Sequence, residues 1–255
     1  MQLPLVLLSV LGLAVATPID LTNINAILLR QDGFARNSGL ENIIHDLLED
    51  FRKTMLTGSD DVPVLDPLDI EHLHLDEEVL TIPGSHVDIK DLKVSKLSTF
   101  VVNKLTVNSA SLIPVRYRLD FDIHVPVLDV DAANYDLLLS AAGTNIFGNG
   151  DAHIKLIEPR VTGSLVVGPR ITIGNGLFLQ ITSSKVQVSL KAFEPQINGL
   201  MNDAAMSEFI NTFLSHFVPE LLVLYENDIT TFLSDTVQEV GNEFLADLNV
   251  SDILG

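Results

Sequence analysis

The sequence has no cysteine and no tryptophan, and its 15 Lys and Arg are outnumbered by 34 Asp and Glu. Without cysteine there is no disulfide framework, no thiolate zinc site, no cysteine nucleophile and no thiol redox chemistry. A secreted chain of this size folds without disulfides when its core is large enough. The shortage of cations leaves a formal net charge of −19. A field of that sign repels phosphate backbones and anionic bilayers, which argues against nucleic acid or a peripheral anionic membrane as partner. Its plain consequence is a solvated acidic surface. Catalytic signatures are missing as well. There is no Gly-x-Ser-x-Gly elbow, no His-Glu-x-x-His and no phosphate-binding loop, so no catalytic residue and no cofactor are assigned and the chain reads as a non-enzyme. Gly148-Asn149-Gly150 is not a dinucleotide fingerprint, because it reads as a turn between strands and opens no helix.

Long apolar runs are scarce after the first one. Leu3 to Val15 is almost wholly apolar, and the chain carries no charged side chain until Asp20. A run that short is a signal-peptide core rather than a membrane span, which needs about 20 apolar residues. Ala14-Val15-Ala16 presents small residues where signal peptidase reads, so residues 1–16 are expected to be a signal peptide and the protein to be secreted and extracellular. Residues 17–255 are expected to form a single domain, without stable membrane insertion. Asn249-Val250-Ser251 is the one glycosylation sequon. Only 19% of residues are charged and the mean hydropathy is +0.33, so much apolar surface has to be hidden, by a sheet wrapped on a helix or by a lined cavity.

What is present is periodicity of two kinds. Leu40, Ile43, Ile44, Leu47, Leu48 and Phe51 recur at steps of three and four, which predicts a helix over about 38–56. Gly58-Ser59-Asp60-Asp61 and Pro63 end it. From about 64 to 193 the period is two. The clearest strand is Ile113 to Val125, where Val115, Tyr117, Leu119, Phe121 and Ile123 alternate with Arg116, Arg118, Asp120, Asp122 and His124. After Pro126 the apolar phase shifts to Leu128, Val130 and Ala132, which predicts a bend or bulge there. Further strands are expected at 88–94, 99–107, 134–142, 152–157, 161–167, 176–182 and 185–191. Phe147-Gly148-Asn149-Gly150, Gly168-Pro169 and Gly174-Asn175-Gly176 read as the turns between them, giving an antiparallel meander in one sheet. Helical spacing returns over about 195–248, broken or kinked at Pro219, and its second segment would be about 40 Å long at 1.5 Å per residue.

Few residues invite chemistry. His72 and His74 share a strand face, with Asp76 continuing it, which is the geometry of a metal site lacking a further ligand; a solvated pair is the preferred reading, and no metal is assigned. Asp120 and Asp122 alternate with Arg116 and Arg118, so charge balance on a wet face explains them. His124 and His153 fall on polar strand phases. The apolar phase of the clearest strand has two readings. Tyr117, Leu119, Phe121 and Ile123 either pack as core or line a pocket, and they are the candidate ligand-binding residues, Tyr117 having a hydroxyl that needs a partner when buried.

A family resemblance rests on three stretches in order. Val64-Leu65-Asp66-Pro67-Leu68-Asp69-Ile70 resembles the opening of the insect takeout and haemolymph juvenile-hormone-binding proteins. Val87 to Val94, followed by Leu97-Ser98-Thr99-Phe100, is similar to their strand and the turn after it, with Lys96 standing where glycine is expected. Asn134-Tyr135, Gly143 and Gly148-Asn149-Gly150 resemble a third stretch. The chain departs from the pattern in lacking an N-terminal cysteine pair that most members have. The resemblance implies an α+β fold: a long, strongly curved antiparallel sheet wrapped around a long C-terminal helix, with an N-terminal helix. That architecture is shared with bactericidal/permeability-increasing proteins and mite group 7 allergens. It also implies a small hydrophobic ligand, a juvenile-hormone-like terpenoid, fatty acid or related lipid, in an apolar tunnel between sheet and helix. A cell-surface receptor is a further partner it allows. The rival expectation is an extracellular protein-interaction or signalling module with a filled core.

Overall fold

The computed structural model describes residues 38–59, 62–80, 82–112, 115–141, 144–172 and 176–246; the signal segment and Asn249 lie outside them. The first described helix, α1 (Ser38–Thr57), falls where the three-and-four spacing puts it. It ends at Gly58, whose φ of +70° suits glycine and whose N–H donates to the Thr54 carbonyl at 2.7 Å. Phe51 and Met55 bury the last turns against Val62, Leu65, Leu97 and Phe100, the main buried cluster.

Among the described residues nine strands follow: β1 (Leu68–Leu75), β2 (His86–Ser95), β3 (Val101–Leu112), β4 (Val115–His124), β5 (Val127–Ala141), β6 (Thr144–Ile157), β7 (Arg160–Thr172), β8 (Gly176–Ser189) and β9 (Ala192–Ile197). A single-turn helix, α2 (Glu77–Leu80), separates β1 from β2. The ladders fall into two antiparallel sheets, β1-β2-β5-β6-β9 and β3-β4-β7-β8, where one was expected. The expectation differs from the structure in hydrogen bonding more than in path. Four ribbons, β2–β3, β4–β5, β6–β7 and β8–β9, each run from one sheet into the other through a short bend, in the same order in both sheets. The bends lie side by side. Val125 N–H donates to the Pro159 carbonyl, Glu158 N–H to that of Pro126 and Lys191 N–H to that of Ile157, all at 3.0 Å. The phase change at Pro126 is one of these corners.

Two expected turns are absent. Gly148-Asn149-Gly150 lies inside β6 and Gly168-Pro169 inside β7, so these two strands run longer than the 152–157 and 161–167 pieces expected of them. The 176–182 and 185–191 pieces merge into β8. The glycines serve close approach instead of turning. A Cβ on Gly148 would stand 2.7 Å from the Gly199 carbonyl oxygen, and one on Gly150 2.4 Å from that of Asn198. Both make room for the turn Asn198-Gly199-Leu200, which is held further by Met201 N–H on the Phe147 carbonyl at 2.7 Å.

The C-terminal helical region begins later than expected, because 195–197 belong to β9. Its helices are α3 (Ala204–Leu224), capped by Asp203 on the Met206 N–H, and α4 (Glu226–Ala246). Pro219 sits inside α3 without ending it, and the break falls at Tyr225. The 21 described residues of α4 span about 32 Å. The pair runs back antiparallel along the last ribbon, α3 beside β9 and α4 beside β8, and the helical break matches the ribbon's bend. Side chains fasten it. Asn211 Oδ1 accepts from Ile197 N–H and its Nδ2 donates to the Ile197 carbonyl, both at 3.1 Å. Asn242 does the same to Ile181 at 2.7 and 3.1 Å, and Ser234 Oγ accepts from Val186 N–H at 2.9 Å. These amides imitate a neighbouring strand, so the edge formed by β8 and β9 is closed by helices. At the opposite edge of the four-stranded sheet, Glu41 of α1 accepts from the Val107 N–H of β3 at 2.8 Å.

Candidate functional site

Cross-strand partners in an antiparallel ladder share a face. On β4 that face holds Tyr117, Leu119, Phe121 and Ile123. Their partners are Ser109, Val107, Leu105 and Val102 on β3, and Val167, Leu165, Gly163 and Val161 on β7. Beyond β7 the same face continues to Ile181, Ser184, Val186 and Val188 of β8. None of these side chains is charged. The charged residues Lys104, Arg118, Asp120, Asp122 and Lys185 occupy the alternate positions, on the other face.

This uncharged face is covered unevenly. Along β8, α4 packs so closely that a Cβ on Gly241 would stand 2.4 Å from Ile181 Cδ1, and Val186 is 1% exposed. Along β3, α1 lies against the strand and Val107 is buried. Among the described residues the two middle strands have no comparable helix above them, and Tyr117, Leu119, Phe121, Leu165 and Val167 remain half-buried. An apolar strip on β4 and β7, called the trough below, thus runs between the strands that α1 and α4 pack against, with the buried cluster at one end. Ile123 packs against that cluster, so the four candidate residues share a face but not a role. Phe121 lies over Gly163, where a Cβ would come 2.9 Å from the ring.

The hydroxyl of Tyr117 makes no hydrogen bond to any described residue, and burial pushes its pKa up. Tyr135, on β5, contrasts with it. It is 7% exposed and donates to the Asn198 carbonyl at 2.6 Å. Burial, with Asp151 nearby, pushes its pKa up to about 12.

The family-like stretches turn out to be clasps. Asp66 accepts from Lys96 N–H at 2.7 Å, Ser98 N–H at 2.8 Å and the Ser98 hydroxyl, tying the chain before β1 to the bend between β2 and β3. Lys96 has φ +74°, the conformation that explains a glycine there. Its ammonium pairs with Asp129 at 2.5 Å, an interaction glycine could not make. Tyr135, Gly148 and Gly150 hold the turn into α3. These residues shape the fold and stand away from the trough floor.

The remaining candidates are surface pairs. His72 Nε2 and His74 Nδ1 both meet Asp88 Oδ1, at 3.1 and 2.8 Å, and the two contacts, His74 first, lower the Asp88 pKa. Asp76 does not complete the group. It caps α2 instead, accepting from Glu78 and Val79 N–H. Among the described residues no three His, Cys, Asp or Glu are placed to hold a metal ion. Arg118 meets Asp120 at 2.9 Å, whereas Asp122 takes Arg160 of β7, whose hydrogen bond lowers its pKa. His124 meets Asn103, and His153 meets Asp131.

Two open cavities lie elsewhere. One, of about 980 Å³, runs between β9 and α3 past Glu194, Asn198, Asp203 and Glu208. The other, of about 530 Å³, crosses the five-stranded sheet near Asp69, Asp131 and His153. Both are open rather than enclosed, so neither is the tunnel the sequence led one to expect. Sequence reasoning also missed Leu165 and Val167. Their alternation was visible, but only the β4–β7 register places them beside Leu119 and Tyr117.

No curated protein matches the chain by sequence. Among solved structures, Takeout 1 of Epiphyas postvittana superposes over 86% of this chain and 95% of its own, with a TM-score of 0.52 at 15% identity. A lipopolysaccharide binding protein matches over 79% of this chain and 39% of its own, at 7% identity and a TM-score of 0.35. Among described residues no helix is long and apolar enough to cross a membrane. The sequence model of the haemolymph juvenile hormone binding proteins matches residues 31–255. The chain therefore belongs to the haemolymph juvenile hormone binding protein family.

Proposed function

We propose that the protein is a secreted, non-enzymatic carrier that takes a small hydrophobic ligand, a terpenoid, fatty acid or related lipid, along the trough. Residues 1–16 serve as its signal peptide, and the rest forms one lipid-binding domain. The observation that carries the reading is the floor: an apolar strip of β4 and β7, uncharged and half-buried, between helices that cover its neighbours. In this reading Leu119 and Phe121 contact the ligand's hydrocarbon, Ile123 closes the end, and Tyr117 offers its free hydroxyl to a polar group. Burying roughly 300 Å² of apolar ligand surface at about 25 cal/mol per Å² supplies about 7 kcal/mol, enough for micromolar binding. Membership in a family named for juvenile hormone binding supports the ligand class. The test is organic extraction of the protein secreted from its native tissue, followed by mass spectrometry. A stoichiometric small lipid is the expected result; an extract without one, from protein that also fails to bind an apolar dye, contradicts the reading.

The rival reading, an interaction module, has one observation in its favour. Phe209, Phe213 and Phe217 of α3 stay 65%, 50% and 39% exposed. They lie about 140° around the helix from Ser207 and Asn211, which face β9. Extraction separates the two, since a module without a ligand yields no lipid.

A further inference from the structure

The charge pattern around the trough narrows the ligand further, on the carrier reading just given. The floor has no charged side chain, as its registers show. The helical side is more selective. After Lys191 the sequence contains no Lys or Arg at all, so α4, the helix beside β8, carries no cation, and its Glu226, Asp228, Asp235, Glu239 and Glu243 are exposed. On the other side, the group that reaches β3 is again a carboxylate, that of Glu41. Arg52, the cation of α1 near the buried end, is already engaged. It donates to Glu49 at 3.0 Å and to the Ser98 carbonyl, and its guanidinium stacks over Phe100 at 3.9 Å. Lys53 is taken by Asp50 at 2.8 Å. Arg116 and Arg118 alternate with the floor residues and so point off the opposite face.

An ionised carboxylate or phosphate entering the trough would lose water and meet no cation free to pair with it among the described residues of the floor, α1 or α4. A neutral polar group needs only one hydrogen bond, and Tyr117 can give or take it. We infer that the trough selects uncharged lipids, such as alcohols, esters or hydrocarbons, and rejects anionic ones, including free fatty acids at neutral pH. The site's specificity is thus written largely by the absence of basic residues beyond Lys191.

The experiment compares ligands of one chain length on the intact secreted protein at pH 8. N-phenyl-1-naphthylamine, uncharged at that pH, serves as the fluorescent probe, displaced in turn by dodecanol, methyl dodecanoate and dodecanoate. The alcohol and ester are expected to displace it at concentrations at least tenfold below those the carboxylate needs. The variant Leu165→Lys is expected to narrow or reverse that ratio by placing a cation on the floor. Dodecanoate competing within threefold of the neutral pair, with the probe bound, overturns the charge inference and leaves the carrier reading standing. Failure of the wild-type protein to bind probe or any ligand removes the carrier reading and this inference with it.

Discussion

Two tyrosines of similar chemistry stand in opposite situations. The Tyr135 hydroxyl is spent on the Asn198 carbonyl, whereas that of Tyr117 has no partner among the described residues. Tyr135→Phe is therefore expected to cost about 1–2 kcal/mol, by leaving a buried carbonyl unpaired. Tyr117→Phe should change stability by less than about 0.5 kcal/mol, yet weaken a hydroxyl-bearing ligand three- to tenfold, the worth of about one hydrogen bond. Urea melts and dye displacement separate the two effects. A pH dependence follows from Tyr135. Its folded pKa of about 12 lies above the ordinary tyrosine value of 10.0, so the folded state holds its proton more tightly. Stability should fall as pH rises from 10 towards 12, and Tyr135→Phe should flatten that fall. An unchanged slope in the variant would contradict the assignment. At this scale the sequence placed Tyr117 on its apolar phase correctly. It could not separate its role from that of Ile123, because packing against the α1 cluster depends on residues such as Phe51 and Leu97, far away in the chain.

Elements were read well where one period ran uninterrupted and poorly where glycine or proline interrupted it. α1 and β4 stand where periodicity put them, and the bend at Pro126 was visible as a change of phase. Gly148, Gly150 and Gly168 misled because the same residue that permits a turn also permits contact at backbone distance. The side-chain stem of Arg116, for instance, lies where a Cβ on Gly168 would be, at 2.9 Å. Pro219 lies inside α3 without ending it, and the break comes six residues later at Tyr225. Nor does any pattern in the sequence announce that Asn211 and Asn242 would act as strand mimics. If they close the sheet's edge as described, Asn242→Ala should expose the Ile181 amide. Hydrogen exchange there is expected to accelerate by about tenfold or more, the loss of roughly 1.4 kcal/mol of local protection, while Ile197 beside Asn211 keeps its rate. Equal acceleration at both amides would mean that the two helices open as one unit.

For the molecule as a whole, the bent double sheet with helices fastened along its edges leaves one apolar strip open between them. The class of this architecture was legible, because alternating strands followed by helical spacing admit few arrangements. The trough was not, because it depends on which strands the helices leave uncovered. Charge was counted from the outset, but its meaning changed once the fold was known. The sum of −19 predicts solubility, whereas the distribution, cations confined to residues up to Lys191, sets the character of the helical wall. The most direct measurement is photo-crosslinking with a neutral long-chain alcohol bearing a diazirine at mid-chain, followed by peptide mapping. Adducts confined to the β4 and β7 peptides containing Leu119, Phe121 and Leu165 are the expected result. Adducts concentrated instead along the groove between β9 and α3, or on the exposed phenylalanines of α3, would contradict the placement of the ligand.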